Sequence, residues 1–141
     1  MHDFVGTSDF PRILQFTGYT CGACSIAAVL EFTGIRVPYS AIKKELTVPR
    51  EEPWRYYARF LRKHGVRSRC YYSASFAQLR STLRRGGVAA VSLDEWHVGV
   101  VHAMDRSRVW LADPLITRQL WRTTSRDCFM SRWTRTVVTA E

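Results

Sequence analysis

The chain has 141 residues, of which 46% are hydrophobic; this is enough to bury one core and too short for two, so we expect residues 1–141 to form a single domain. No apolar run is long enough to cross a bilayer and no basic-then-apolar signal segment follows Met1, which predicts a soluble protein. The formal net charge is +9, but the basic residues are spread along the chain rather than gathered on one face between aromatic residues, which argues against a specific nucleic-acid partner.

The first half of the chain carries helical patterns. Residues 1–14 are expected to form an extended arm, and three helices are predicted after it, at about 21–33, 39–46 and 53–64. Gly34 and Gly65 end the first and the third, because glycine readily takes the left-handed conformation that closes a helix. Four basic residues on one face of the third helix are expected to form a solvated outer surface: Arg55, Arg59, Arg62 and Lys63.

The second half is mostly β. A strand is predicted at 66–72 and a helix at 75–85, which Gly86 and Gly87 end. Four further strands follow, at 88–93, 97–104, 109–112 and 134–139, with a helical turn near 125–133. Helices first and an antiparallel sheet second predict an α+β fold, with an N-terminal helical part packed on a C-terminal antiparallel sheet.

Cys21 begins the first helix, in the segment Thr20-Cys21-Gly22-Ala23-Cys24. The free N–H groups and the positive dipole end of a helix N-terminus favour an anion, so a thiol at this position ionises more readily than one elsewhere. The helix behind it is apolar on nearly every face, which predicts a buried helix with one reactive atom at its tip.

A base and an orienting acceptor for this thiol are found in the β half. His97 and Asp113 are sixteen positions apart, with the turn at 105–108 between them. Folded as a hairpin, the two residues come out at the same end of adjacent antiparallel strands, within reach of a side-chain hydrogen bond. A cysteine nucleophile needs this pair, because the histidine acts as its base and the carboxylate orients the histidine.

Together these residues resemble a known family. The pattern consists of Gln15 six residues before Cys21-Gly22, His97 in a valine-rich segment, and Asp113-Pro114 sixteen residues after His97. It is similar to that of the C39 cysteine peptidases, the papain-like double-glycine leader peptidases of bacteriocin exporters. The resemblance covers essentially the whole chain. It implies a papain-like fold in which Cys21 is the nucleophile, His97 the general base, Asp113 its orienter and Gln15 an oxyanion-hole donor.

The resemblance also implies the substrate and the partners. A leader or propeptide with a small-residue pair, usually Gly-Gly, before the cut would dock as an amphipathic helix in an apolar groove, and a peptide exporter is a possible partner. Trp54, Tyr56, Tyr57 and Phe60 are candidates for that groove, with core packing as the alternative use for at least half of them. No metal and no organic cofactor is implied.

Other readings of the same residues stay open on the sequence alone. Cys21-Gly-Ala-Cys24 at a helix start is also how thioredoxin-like dithiol oxidoreductases place two thiols, although that fold needs a strand running into the motif and a βαβ arrangement around it. A Cys-His-Asp deamidase, acyltransferase or toxin-like effector would begin with the same attack. His102 is a competing base, but its five-residue offset from His97 points it to the other side of a strand, so we interpret it as structural.

The cysteine pattern favours reduced thiols in a reducing compartment, and therefore a cytoplasmic location. Cys21, Cys24, Cys70 and Cys128 allow two disulfides on paper, but a disulfide framework is normally denser in a chain of this size. Zinc ligands usually come in short-spaced pairs, and only one such pair is present, which argues against a metal site.

Overall fold

The computed structural model describes residues 3–11, 21–48, 52–94, 97–114 and 123–141. Its helices are α1 (Cys21–Phe32), α2 (Tyr39–Leu46), α3 (Pro53–Lys63), α4 (Phe76–Arg84) and α5 (Arg126–Arg132). Its strands are β1 (Val5–Gly6), β2 (Ser68–Tyr71), β3 (Val88–Leu93), β4 (His97–Met104), β5 (Arg108–Ala112), β6 (Thr123–Ser125) and β7 (Trp133–Ala140). The longest described helix, α1, has 12 residues, well below the roughly 20 apolar residues that a membrane crossing needs.

The described strands form one antiparallel sheet in the order β2-β7-β3-β4-β5-β6, and the short β1 pairs with β4 as well. The last strand of the chain, β7, lies inside the sheet and pairs on one side with β2 and on the other with β3. An α+β fold with an antiparallel sheet is therefore confirmed.

Helices cover both faces of the sheet. Alternate residues of a strand point to opposite faces, and along β3 Val88 and Ala90 pack in the core that holds α1, α2 and α3. Val91 and Leu93 instead pack in a second core, with residues of α4 and α5. The predicted packing of the N-terminal helices on the sheet is confirmed for α1, α2 and α3, while α4 and α5 form the opposite layer.

Most element bounds agree with the sequence to within two residues. The strands at 88–93 and 97–104 and the helix at 39–46 match their predicted ranges. The strands β1 and β6 were not predicted, because two and three residues are too short for apolar alternation to show. The basic residues expected on the outer face of α3 are all exposed: Arg55, Arg59, Arg62 and Lys63.

The β4–β5 hairpin carries a bulge that the sequence did not predict. Val100 pairs with Ala112, but the register then shifts between Val101 and Ala103. The turn that joins the strands is held by the Asp105 carboxylate, which accepts hydrogen bonds from the backbone N–H groups of Ser107 and Arg108 at 2.9 and 2.8 Å. The hairpin brings the start of β4 and the end of β5 to the same edge of the sheet.

Candidate active site

Cys21 is the first residue of a buried helix. Residues 21–30 of α1 are all buried, and Cys21 keeps 8% of its surface exposed. No acidic side chain occupies the first turn of α1 to compete for its unpaired N–H groups. The Ser25 hydroxyl donates to the Val98 carbonyl at 3.2 Å, which fixes the helix against β4 one residue from His97. The prediction of a buried helix with one thiol at its tip is confirmed.

His97 lies between Cys21 and Asp113. It is the first residue of β4, and its Nε2 is 2.6 Å from Oδ1 of Asp113, which directly follows β5. The Cys21 side chain forms a hydrogen bond with the same imidazole, and since Nε2 faces Asp113, Nδ1 is the nitrogen left for the thiol. The structure therefore brings together three of the four residues that the sequence singled out.

This arrangement keeps the imidazole protonated. Burial lowers the pKa of His97, but hydrogen bonds and charge interactions with Asp113 and Cys21 outweigh it and raise the pKa from 6.5 to about 9. The Asp113 side chain is only 2% exposed, so its charge acts on the imidazole with little screening by water. The site therefore places an imidazolium next to a thiol at a helix N-terminus.

The other histidine of β4 has a different environment. His102 is 6% exposed, its Nδ1 is 2.6 Å from the Thr7 carbonyl oxygen, and its ring stacks on Phe10 with the centroids 5.0 Å apart. Burial, the largest influence, lowers the pKa of His102, so the ring is neutral at pH 7 and its Nδ1–H donates to Thr7. This histidine ties the N-terminal arm to the sheet.

The fourth predicted residue, Gln15, lies outside the described residues, which omit 12–20. Its assignment as an oxyanion-hole donor stays a prediction.

Sequence reasoning missed the position of Tyr57. A Cβ atom at Gly22 would lie 2.1 Å from the Tyr57 hydroxyl oxygen, so this phenol fills the space where another residue at position 22 would have its side chain. Tyr57 and Phe60, two of the candidates for a substrate groove, are buried in the core, whereas Trp54 and Tyr56 are partly buried at its margin. Gly22 is the sequence feature that could have indicated this contact, because a glycine in a buried helix often marks the close approach of another group to the helix.

The second cysteine of the motif has a different partner. Cys24 is fully buried, with its Sγ 3.2 Å from the Tyr39 hydroxyl oxygen, and no disulfide joins any two of the four cysteines. The thioredoxin-like alternative required a βαβ arrangement, and it is wrong because the described sheet is antiparallel throughout. Within the described ranges, no three His, Cys, Asp or Glu side chains form a group that would hold a metal ion.

Comparison with known proteins agrees with this geometry. The family model of the peptidase C39 family matches residues 9–141. A search of curated proteins gave no match. Among solved structures, a double-glycine-motif protease from an AMS/PCAT transporter, in complex with the leader peptide, is 17% identical, with 96% of this chain and 94% of that chain covered and a TM-score of 0.72.

Two further solved structures share the fold. A C39-like peptidase from Bacillus anthracis is 15% identical, with 98% of this chain and 97% of that one covered and a TM-score of 0.77. The peptidase domain of Streptococcus ComA, a bifunctional ABC transporter of a quorum-sensing pathway, is 16% identical, with 94% and 98% covered and a TM-score of 0.72. With the family match over nearly the whole sequence, the conclusion is that this chain belongs to the peptidase C39 family of cysteine peptidases.

Proposed function

We propose that residues 1–141 act as one cytoplasmic peptidase domain that removes a leader or propeptide after a small-residue pair such as Gly-Gly. The observation that carries this proposal is the hydrogen-bonded series Cys21, His97 and Asp113 at the tip of α1. Support for the substrate class comes from the similar protease that was solved with its leader peptide, and from the ComA domain, which belongs to a transporter. A peptide exporter is accordingly the proposed partner.

The proposed reaction starts from the thiolate–imidazolium pair. The Cys21 thiolate attacks the carbonyl carbon of the scissile bond, forming a C–S bond and moving the charge to the carbonyl oxygen. As the tetrahedral intermediate collapses, the C–N bond breaks and the His97 imidazolium gives its proton to the leaving amine. Neutral His97 then takes a proton from water, which attacks the thioester, and the departing Cys21 thiolate restores the pair.

Two further groups support these steps. Asp113, whose Oδ1 is 2.6 Å from His97 Nε2, holds the ring in one orientation and stabilises its positive charge. The oxyanion would be held by the backbone N–H of Cys21 and by the side-chain amide of Gln15. Donors of this kind act mainly in the transition state, because the charge they bind is absent from the substrate.

The test compares the two cysteines of the motif. A synthetic peptide with a Gly-Gly leader is incubated with the wild type, Cys21→Ala and Cys24→Ala, and the products are followed by mass spectrometry. We expect Cys21→Ala to abolish cleavage and Cys24→Ala to keep most of it, since Cys24 contacts Tyr39 rather than His97. Iodoacetamide should alkylate Cys21 faster than Cys70 or Cys128, because the thiolate fraction sets the rate.

Equal loss of cleavage in both variants, or cleavage that survives Cys21→Ala, would contradict the proposed nucleophile. Mass spectrometry also separates the related chemistries, because deamidation of a substrate amide adds about 1 Da without breaking the chain, whereas hydrolysis gives two peptides.

A further inference from the structure

The Tyr57 hydroxyl lies at the reactive end of α1. It fills the space that a side chain on Gly22 would need. A Cβ atom at Gly22 would lie 2.1 Å from the Tyr57 hydroxyl oxygen and 2.7 Å from the ring carbon that bears the hydroxyl. In an α-helix the Cα–Cβ bond inclines toward the N-terminus, so this space adjoins the end of α1 that carries Cys21. The charge of Cys21 also acts on the Tyr57 phenol, which places the two groups close together independently of the glycine.

The ring of Tyr57 is held firmly. Tyr57 is 8% exposed, belongs to the core formed by α1, α2, α3 and the sheet, and meets the Trp54 ring edge-on at a centroid distance of 5.4 Å. Two χ angles and a packed ring leave the hydroxyl little freedom, so its position relative to Cys21 is set before any substrate arrives.

The Tyr57 hydroxyl is a neutral hydrogen-bond donor. Burial, and then the charge of Cys21, raise the pKa of Tyr57 from 10 to about 12, so the phenol keeps its proton over the whole working range of the enzyme. Cys21 acts on the phenol through its charge, and a neutral phenol can donate its hydrogen to a carbonyl oxygen.

We propose that Tyr57 is a further substrate-contacting residue, whose hydroxyl donates a hydrogen bond to a backbone carbonyl oxygen of the peptide bound at Cys21. This inference rests on the proposed peptidase function. A peptide entering the site brings carbonyl oxygens to the tip of α1, where Tyr57 presents a fixed donor. Gly22 is the complementary feature, because any side chain at position 22 would displace the hydroxyl.

The test removes the hydroxyl and keeps the ring. For Tyr57→Phe we expect kcat/KM on the Gly-Gly leader peptide to fall about three- to tenfold, the range of one neutral hydrogen bond, and to fall through a higher KM with kcat nearly unchanged. Alkylation of Cys21 by iodoacetamide, which has no peptide backbone, should stay within about twofold of the wild type. Melting temperatures of both proteins verify that the variant is folded.

Tyr71→Phe is the matched control. It removes a hydroxyl from an exposed tyrosine at the end of β2, an edge strand of the sheet, and its kcat/KM should equal that of the wild type. An unchanged kcat/KM in Tyr57→Phe, a loss confined to kcat, or a parallel loss of iodoacetamide alkylation would each overturn the inference. In the last case the hydroxyl would act on Cys21 and not on the substrate.

A second probe separates this inference from the proposed function. If the wild type does not cleave the leader peptide, the proposed function fails, and a peptidyl chloromethyl ketone ending in Gly-Gly then decides the role of Tyr57. Its inactivation rate, divided by that of iodoacetamide, should fall in Tyr57→Phe if the hydroxyl contacts the peptide backbone. An equal ratio in both proteins overturns the inference.

Discussion

The two histidines of β4 lie five residues apart in one strand, and their pKa values move in opposite directions. Burial lowers the pKa in both cases. His102 faces the neutral carbonyl of Thr7, so burial dominates and the ring stays neutral. His97 faces the Asp113 carboxylate and the Cys21 thiol, and its pKa rises to about 9.

The difference shows that burial alone does not decide whether a histidine in this sheet is charged. The charge of the hydrogen-bond partner decides it, because an ionised acceptor stabilises the imidazolium far more than a backbone carbonyl does. His97 is thereby the charged histidine of β4, and His102 serves as a neutral tie between the arm and the sheet.

The largest effect should come from replacing each histidine by an amide side chain whose N–H can reach the same acceptor. His97→Gln keeps a donor near Asp113 and His102→Asn keeps one near Thr7, but neither side chain can transfer a proton. We expect His97→Gln to lower kcat/KM about 10⁴-fold or more, as loss of the base in a catalytic triad does. Cleavage assays corrected for the folded fraction should find His102→Asn close to the wild type. Similar losses in both variants would remove the functional distinction between the two histidines.

A smaller effect should follow from removing the charge beside His97. In the proposed mechanism the imidazolium completes the active pair, so kcat/KM of the wild type should decline as pH rises through about 9. In Asp113→Asn the hydrogen-bond acceptor of His97 loses its charge. Because a charge-assisted hydrogen bond is worth about 1.5–3 kcal/mol, the pKa of His97 should fall. The alkaline limb, where kcat/KM declines with rising pH, should then lie about one to two pH units lower. A pH series of kcat/KM measures the shift.

Asp105→Asn is the control for that series. Asp105 is also a carboxylate of the same hairpin, but it bonds to Ser107 and Arg108 in the turn, so its loss should leave the alkaline limb in place. An unmoved limb in Asp113→Asn would mean that Asp113 does not set the protonation of His97.

The smallest effect concerns stability against pH. The folded pKa of His97 lies above its unfolded value of 6.5, so its stabilisation is complete below pH 6.5 and is lost as pH rises toward 9. The folded pKa of His102 is lowered, so stability is instead lost as pH falls below 6.5. Thermal melts between pH 5 and pH 9 should differ from those of His97→Gln at the alkaline end and from those of His102→Asn at the acid end, by about a few degrees. Parallel curves for all three proteins would contradict both pKa shifts.

Local sequence signals predicted most of the fold. Helix α4 begins where Ser75 and Gln78 form a reciprocal capping box, and Gly34 follows α1 with a positive φ of 80°. The assignment of α4 and α5 to the opposite layer was not predictable in this way, because it depends on which face of each strand meets which helix. The strand β6 has the polar sequence Thr-Thr-Ser, so the alternation of apolar and polar residues that would indicate a strand is missing, although β6 pairs with β5.

The same limit applies to the candidate site. His97 and Asp113 were placed together because a hairpin converts a spacing of sixteen residues into proximity, and the 2.6 Å contact confirms that proximity despite the bulge. Tyr57 and Gly22 belong to different helices, and the approach of one to the other follows from tertiary packing. No spacing rule links residues on two packed helices, so the phenol beside Cys21 was visible only in the structure.

The position of β7 has a consequence for the order in which the molecule can fold. Strand β2 pairs with β7 at Ser68–Ala140, so its sheet partner is made by the ribosome some seventy residues after it. Strand β3 likewise lacks one neighbour until residues 133–140 are present. Such distant pairings close late, because a long loop must be ordered before they form. The helix of Cys21 and the hairpin of His97 and Asp113 are thus synthesised before the strand that completes the sheet beneath them, and the site gains its full support only when residues 133–140 have been made.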